Sequence, residues 1–113
     1  MRRGDLVIVA APGDYGKPRP AVVIQSDALE ATGSLLVCLL TTTRRPAPFY
    51  RLPLEPTPGN GLREPSDVMV DKIYALARSK CGEAIGRLTH DEITALNHRL
   101  ALVIGLVDTA RAD

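Results

Sequence analysis

Apolar residues in this chain fall into short runs separated by clusters of proline, glycine and charge. Asp5-Leu6-Val7-Ile8-Val9-Ala10-Ala11 predicts a first strand, and Pro12-Gly13-Asp14-Tyr15-Gly16 is dense in turn formers, so residues 12–20 read as a long hairpin connection. Ala21-Val22-Val23-Ile24 is a β-branched run suited to a strand buried on both faces, with Gln25-Ser26-Asp27 as its polar exit. Asp27–Ala31 predicts one helical turn ended by Thr32-Gly33, and Ser34–Leu40 is the most hydrophobic run, a central strand. Phe49–Leu54 predicts another strand, with Phe49 or Tyr50 facing inward and Pro53 marking a sheet edge. Glu55–Pro65 is a loop, with Asn60-Gly61 as a tight-turn signal. In Ser66–Tyr74 the alternation places Val68, Val70 and Lys72 on one face and Met69, Asp71 and Ile73 on the other, and Gly82–Leu88 is a last short strand. Thr89-His90-Asp91-Glu92 fits a capping box, and the helix it opens runs to about Val107 with Ile93, Leu96, Leu100, Val103 or Ile104, and Val107 on one face. Many short strands with one closing helix imply an α+β domain built on a small, strongly bent sheet or barrel.

Composition narrows this picture without changing it. The 113 residues suit a single domain spanning the whole chain, and the 45% hydrophobic and 24% charged content is that of an ordinary globular protein. No apolar run approaches the roughly 20 residues of a membrane span, and the N-terminus enters a strand directly without a secretory h-region, so the expected location is the cytoplasm. Cys38 and Cys81 stand in no metal-ligand spacing and read as reduced structural thiols. His90 and His98 lack partners at catalytic or ligand spacing and read as surface residues. Residues 1–63 hold eight Lys/Arg against five Asp/Glu, and residues 64–113 hold six against eight. The basic half is the mild hint of an anionic ligand that the composition offers.

Candidate chemistry concentrates in that half. Pro18 and Pro20 fix their own φ and push Lys17 and Arg19 into extended backbone, so Arg19 is presented in a nearly fixed direction at the mouth of the core. A guanidinium there serves as a planar fork for a phosphate or carboxylate, or as a surface arginine paired to a nearby carboxylate. Thr41 ends the most hydrophobic strand and would face the same concave site if residues 20–26 and 34–42 are neighbouring strands; a strand-end threonine equally often satisfies backbone groups. Asp71, sharing a face with apolar residues, is a carboxylate lining a cleft or the partner of an arginine.

Several stretches together resemble one family. Arg3–Val9 (RGDLVIV), Gly16–Asp27 (GKPRPAVVIQSD), Leu39–Thr41 (LLT) and Val68–Ile73 (VMVDKI) are similar, in order and spacing, to the MazF/PemK-type toxins of bacterial toxin–antitoxin systems. The resemblance spans nearly the whole chain. It implies an SH3-like barrel with a C-terminal α-helix, in a homodimer that cuts single-stranded RNA at short sequences without a metal or other cofactor. It also implies a cognate MazE-like antitoxin that lays a disordered tail across the dimer groove. Residue by residue, Arg19 falls on the family's catalytic arginine, Thr41 on its catalytic threonine and Asp71 on an aspartate that acts in part of the PemK branch. Met69 departs from that branch, which carries an arginine two residues before the aspartate. Lys17, Arg44 and Arg45 would flank the site and bind RNA phosphates. With four aromatic residues in the chain, base recognition would lean on hydrogen bonds.

Three other readings compete. CcdB-like gyrase poisons share the fold but depend on a C-terminal tryptophan-containing tail, whereas this chain has no tryptophan and ends VDTARAD. A non-catalytic SH3-like interaction module would use Arg19 and Thr41 structurally, and a decayed toxin would retain only antitoxin binding.

Overall fold

The computed structural model describes residues 1–10 and 17–107. They form β1 (Asp5–Ala10), β2 (Pro18–Val23), β3 (Ser34–Thr41), β4 (Arg51–Leu54), β5 (Ser66–Ala77), β6 (Cys81–Arg87) and α1 (His90–Val103), with a short 3-10 turn at Arg78–Lys80 between β5 and β6. The strands make one antiparallel sheet in the order β4-β5-β3-β2-β1-β6. The hydrophobic run of β3 lies centrally, between β2 and β5, and Pro53 sits on the edge strand β4, both as the pattern implies.

Side chains alternate across the sheet and supply a core on each side, which is why the inner strands read as continuous apolar runs. Leu6, Val22, Cys38, Leu40, Val68 and Val70 pack with Leu96 and Leu100 of α1. Val7, Ala21, Val23, Val37, Leu39 and Met69 pack on the opposite face.

The edge strands β4 and β6 do not pair with each other. The loop between β4 and β5 spans that gap instead. Its Gly59 carbonyl accepts from the Arg87 amide at 2.8 Å. Gly61, at φ +71°, lies against the Ile85 carbonyl, and Gly86 lies against the backbone of Asn60, so a Cβ at either glycine would collide with main-chain atoms. Asn60 is buried and organises the loop, donating to the Glu55 carbonyl at 2.8 Å and accepting from the Thr57 and Leu62 amides at 3.0 Å each.

Several local expectations need correction. Pro18, Arg19 and Pro20 are strand rather than loop and pair with Ala10, Val9 and Ile8; the ladder from β2 to β3 begins only at Ala21, so no β3 partner loses a hydrogen bond to a proline. Ala11, the last residue of the expected first strand, and residues 12–16 of the expected connection, like the last six residues of the chain, lie outside the described residues. No helical turn forms over 27–31. There the Ser26 hydroxyl accepts from the Ala28 amide at 3.1 Å, and the Gln25 amide reaches the Leu29 carbonyl and the Thr32 hydroxyl at 3.0 Å each, giving the backbone a non-helical solution.

Phe49 and Tyr50 do not face inward. The amides of Tyr50 and Arg51 both return to the Ala47 carbonyl, so the chain is still turning at Phe49, which is 63% exposed. β4 starts at Arg51, and that side chain takes the buried position. β5 is longer than predicted and carries a bulge, with Met69–Lys72 standing between register pairs that leave only Leu39 on β3. The bulge changes the alternation, so Ile73 pairs with Cys38 rather than sharing the face of Met69.

The capping box of α1 is present, with Thr89 Oγ1 accepting from the Glu92 amide at 3.2 Å and Glu92 Oε1 from the Thr89 amide at 2.8 Å. The helix stops at Val103, before the predicted Val107, because Gly105 adopts φ +79° and the Leu106 amide turns back to the Ala101 carbonyl. Ile104 and Val107 consequently lie exposed rather than on the packed face.

Candidate active site

Arg19 and Thr41 occupy the corresponding ends of neighbouring strands. The β2–β3 register Val23↔Val37, Val22↔Cys38, Ala21↔Leu39 stops short of them, and Arg19 and Thr41 each lie two residues beyond its last pair, at the same end of the two strands. By alternation both continue the face that carries Ala21 and Leu39, and both are half-buried at the rim of that core. The extended backbone of Pro18-Arg19-Pro20 thus places a permanent cation on the strand next to the one that ends in the Thr41 hydroxyl.

The Thr41 hydroxyl is itself oriented. Its oxygen accepts from the Thr43 amide at 3.1 Å. That N–H holds the oxygen in place at one acceptor site and leaves its O–H to rotate as a donor.

The carboxylate opposite Thr41 in the β3–β5 register is Asp67. It is only 2% exposed and accepts from the Arg45 amide at 3.1 Å, Arg44 Nε at 3.2 Å and Arg51 Nη1 at 3.3 Å. Asp71 lies in the β5 bulge, exposed, and close enough to Cys38 for its charge to help raise that thiol's pKa. Asp67 and Arg51 were missed in the sequence. Asp67 carried the same signal as Asp71, a carboxylate alternating with Met69, and Arg51 stood inside the otherwise apolar stretch RLPL.

Lys17 is exposed just before β2, and Arg45 is exposed just beyond β3. Arg44 is tied to Glu55 at 3.1 Å as well as to Asp67, and these hydrogen bonds, with Glu55 the stronger influence, raise its pKa further. Beside this segment lies a cavity of about 490 Å3 lined by Arg45, Pro46, Pro48, Arg51, Asp67 and Arg99. A second cavity of about 360 Å3, lined by Ile8, Pro20, Thr42, Leu62, Arg63 and Ile85, lies where the strands bearing Arg19 and Thr41 meet the Glu55–Pro65 loop. Neither cavity is lined by Arg19 or Thr41 themselves; the first lies beside the cationic segment that follows β3, and the second is bordered by their sequence neighbours Pro20 and Thr42. Among the described residues no cluster of three or more His, Cys, Asp or Glu could hold a metal ion, and no helix is long and apolar enough to cross a membrane.

Comparison with known proteins gives this arrangement a context. Residues 2–104 match the family described as PemK-like, MazF-like toxin of type II toxin–antitoxin system. The chain is 40% identical over 107 residues to a probable endoribonuclease MazF of Mycolicibacterium smegmatis, covering 94% of this chain and 98% of that protein. Its fold is similar to that of a mycobacterial endoribonuclease solved with its cognate antitoxin, at TM-score 0.81 and 24% identity over 96% of this chain and 99% of that one. The Mycobacterium tuberculosis toxin MazF-mt6 superposes at TM-score 0.77 and 22% identity, covering 89% and 96%. A Deinococcus radiodurans MazF solved with MazE does so at 0.75 and 24%, covering 93% and 95%.

Proposed function

This chain belongs to the PemK-like, MazF-like toxin family of type II toxin–antitoxin systems, and from that premise we propose that it is a sequence-specific endoribonuclease acting on single-stranded RNA without a metal. The observation that carries the reading is that Arg19 and Thr41 lie at the same end of the neighbouring strands β2 and β3, each two residues beyond their last pair, with the Thr41 hydroxyl oxygen accepting from the Thr43 amide. A cation and a hydroxyl donor at one end of the sheet are what a phosphate needs as its negative charge grows.

In the proposed reaction the ribose 2′-oxygen bonds to the adjacent phosphorus as the P–O5′ bond breaks. The 2′-OH proton passes to a base and a proton reaches the departing 5′-oxygen. The products are a 2′,3′-cyclic phosphate and a 5′-hydroxyl. Charge collects on the non-bridging oxygens, where Arg19 donates through its fork and Thr41 adds a neutral donor, a role commonly worth about 3 kcal/mol of barrier. Asp71 is the proposed base for the 2′-OH; its exposed place in the bulge leaves it accessible to substrate. Lys17 and Arg45 extend the cationic rim along the RNA backbone. Arg44 contributes less to that field, since two carboxylates already hold it.

We further propose the setting its relatives suggest: a homodimer in the cytoplasm, neutralised by a cognate MazE-like antitoxin. The gyrase-binding alternative has no support, since the family matched over residues 2–104 is that of PemK and MazF.

The test is cleavage of a long single-stranded RNA in EDTA with mapping of the 5′ ends. Wild type is expected to cut at discrete sites, Arg19→Ala and Thr41→Ala to lose at least about a hundredfold in rate, and DNA of the same sequence to stay intact because it lacks the nucleophile. Uncut RNA with wild type, or full activity in both variants, overturns the proposal.

A further inference from the structure

We propose that Asp67 and Arg51 act as a positioning clamp for the Thr41 hydroxyl, so that a buried ion pair outside the catalytic constellation holds in place the oxygen from which that hydroxyl donates. The inference rests on the reading of Thr41 as a group that contacts the scissile phosphate.

The clamp consists of a chain of contacts. Asp67 lies opposite Thr41 in the sheet and accepts from the Arg45 amide at 3.1 Å and from Arg44 Nε at 3.2 Å. Arg51 Nη1, 3.3 Å from the other side of the pair, also donates to the Thr43 carbonyl at 3.1 Å. Three consecutive residues are thus held at three different atoms: the carbonyl of Thr43, the side chain of Arg44 and the amide of Arg45. The Thr43 amide, fixed by this hold on its own carbonyl and on the next residues, closes back on Thr41 Oγ1 at 3.1 Å. Residues 42–46 are otherwise exposed. Released, they would let the Thr43 amide swing off, and the Thr41 hydroxyl would sample its staggered positions and the local backbone acceptors available to a threonine.

Stability does not explain the pair. Arg51 is 6% exposed, its Nε has no hydrogen-bond partner among the described residues, and the residue opposite it on β5 is the buried Met69. Burying two charges with one donor left unpaired is a poor way to hold a sheet edge, and well-packed apolar residues of similar volume generally do it as well or better. What the charges provide, and apolar residues could not, is a set of directional hydrogen bonds to the segment that follows Thr41.

Single-turnover cleavage at saturating RNA tests the clamp through the paired replacement Arg51→Met with Asp67→Leu, made in wild type and in Thr41→Ala. The pair replacement is expected to keep the melting temperature and the KM, to slow cleavage about tenfold or more, and to slow Thr41→Ala no further, because the two act through one hydroxyl. Thr43→Pro, which removes the capping N–H from an exposed residue, is expected to slow cleavage by a similar factor and serves if the paired variant is too unstable to assay. An undiminished rate in the clamp variants, or the same fold-loss with and without the Thr41 hydroxyl, overturns the clamp while leaving the nuclease reading intact. A Thr41→Ala protein that cuts at the wild-type rate removes the premise itself.

Discussion

Cys38 shows how a residue's place in the core changes its chemistry. Its thiol is pushed up to about 12 from an ordinary 9.0, first by burial, then by the Asp71 charge, with Arg3 opposing. A raised folded value means that the neutral thiol favours the native state. That contribution is complete below about pH 9 and is lost as the pH climbs towards about 12. Unfolding of wild type and Cys38→Ala, followed from neutral to strongly alkaline pH, is expected to show a stability gap that is constant up to about pH 9 and narrows above it. A gap that stays constant to pH 11 refutes the assignment. Burial also makes Cys38 inert to thiol reagents in the folded protein, as a protonated, enclosed sulfur is a poor nucleophile.

Among the elements, the Glu55–Pro65 loop carries the most consequence, because it joins β4 and β6 where the sheet itself leaves a gap. Gly86 meets the backbone of Asn60 there, and main chain cannot yield as a flexible side chain can. Gly86→Ala is therefore expected to destabilise the fold by about 3 kcal/mol or more through overpacking, read as a lower midpoint in denaturant. A midpoint within error of wild type rules out the tight crossing. Thr89→Ala, which removes one half of the α1 capping box, provides a scale for comparison at about 1 kcal/mol. The contrast separates an element boundary that the sequence announces from a backbone contact that it does not.

For the molecule as a whole, the proposed homodimer predicts a solution mass of twice the 12.2 kDa chain. Ile104, Leu106 and Val107, beyond the end of α1, and Leu36 and Ile73 on the sheet leave large apolar side chains exposed on the single chain. Light scattering over a dilution series checks this, and a monomer mass at micromolar concentration refutes it. Dimer or monomer, RNA binding along a cationic rim is expected to weaken steeply with salt.

Local chemistry made much of this protein legible. The apolar runs marked the strands because a strand buried on both faces needs no polar alternation, and Thr89 to Glu92 marked the start of α1 because the cap is made by residues three apart. Arg19 stood out because two prolines restrict it whatever surrounds it. The helix end at Val103 was hidden because Ile104 and Val107 continue the apolar period beyond the turn that Gly105 makes. The partnership of Asp67 with Arg51, the bulge that holds Asp71 and the loop that spans the sheet edges are contacts between residues distant in sequence. No local pattern encodes which acidic residue of Ser66–Tyr74 faces a cation. Sequence alone determined that the apolar runs are strands and that Arg19 sits in restricted, extended backbone, since those follow from burial period and from the two prolines. Only the tertiary structure decided which carboxylate holds the segment beyond Thr41, because register and bulge bring its partners together across the sheet.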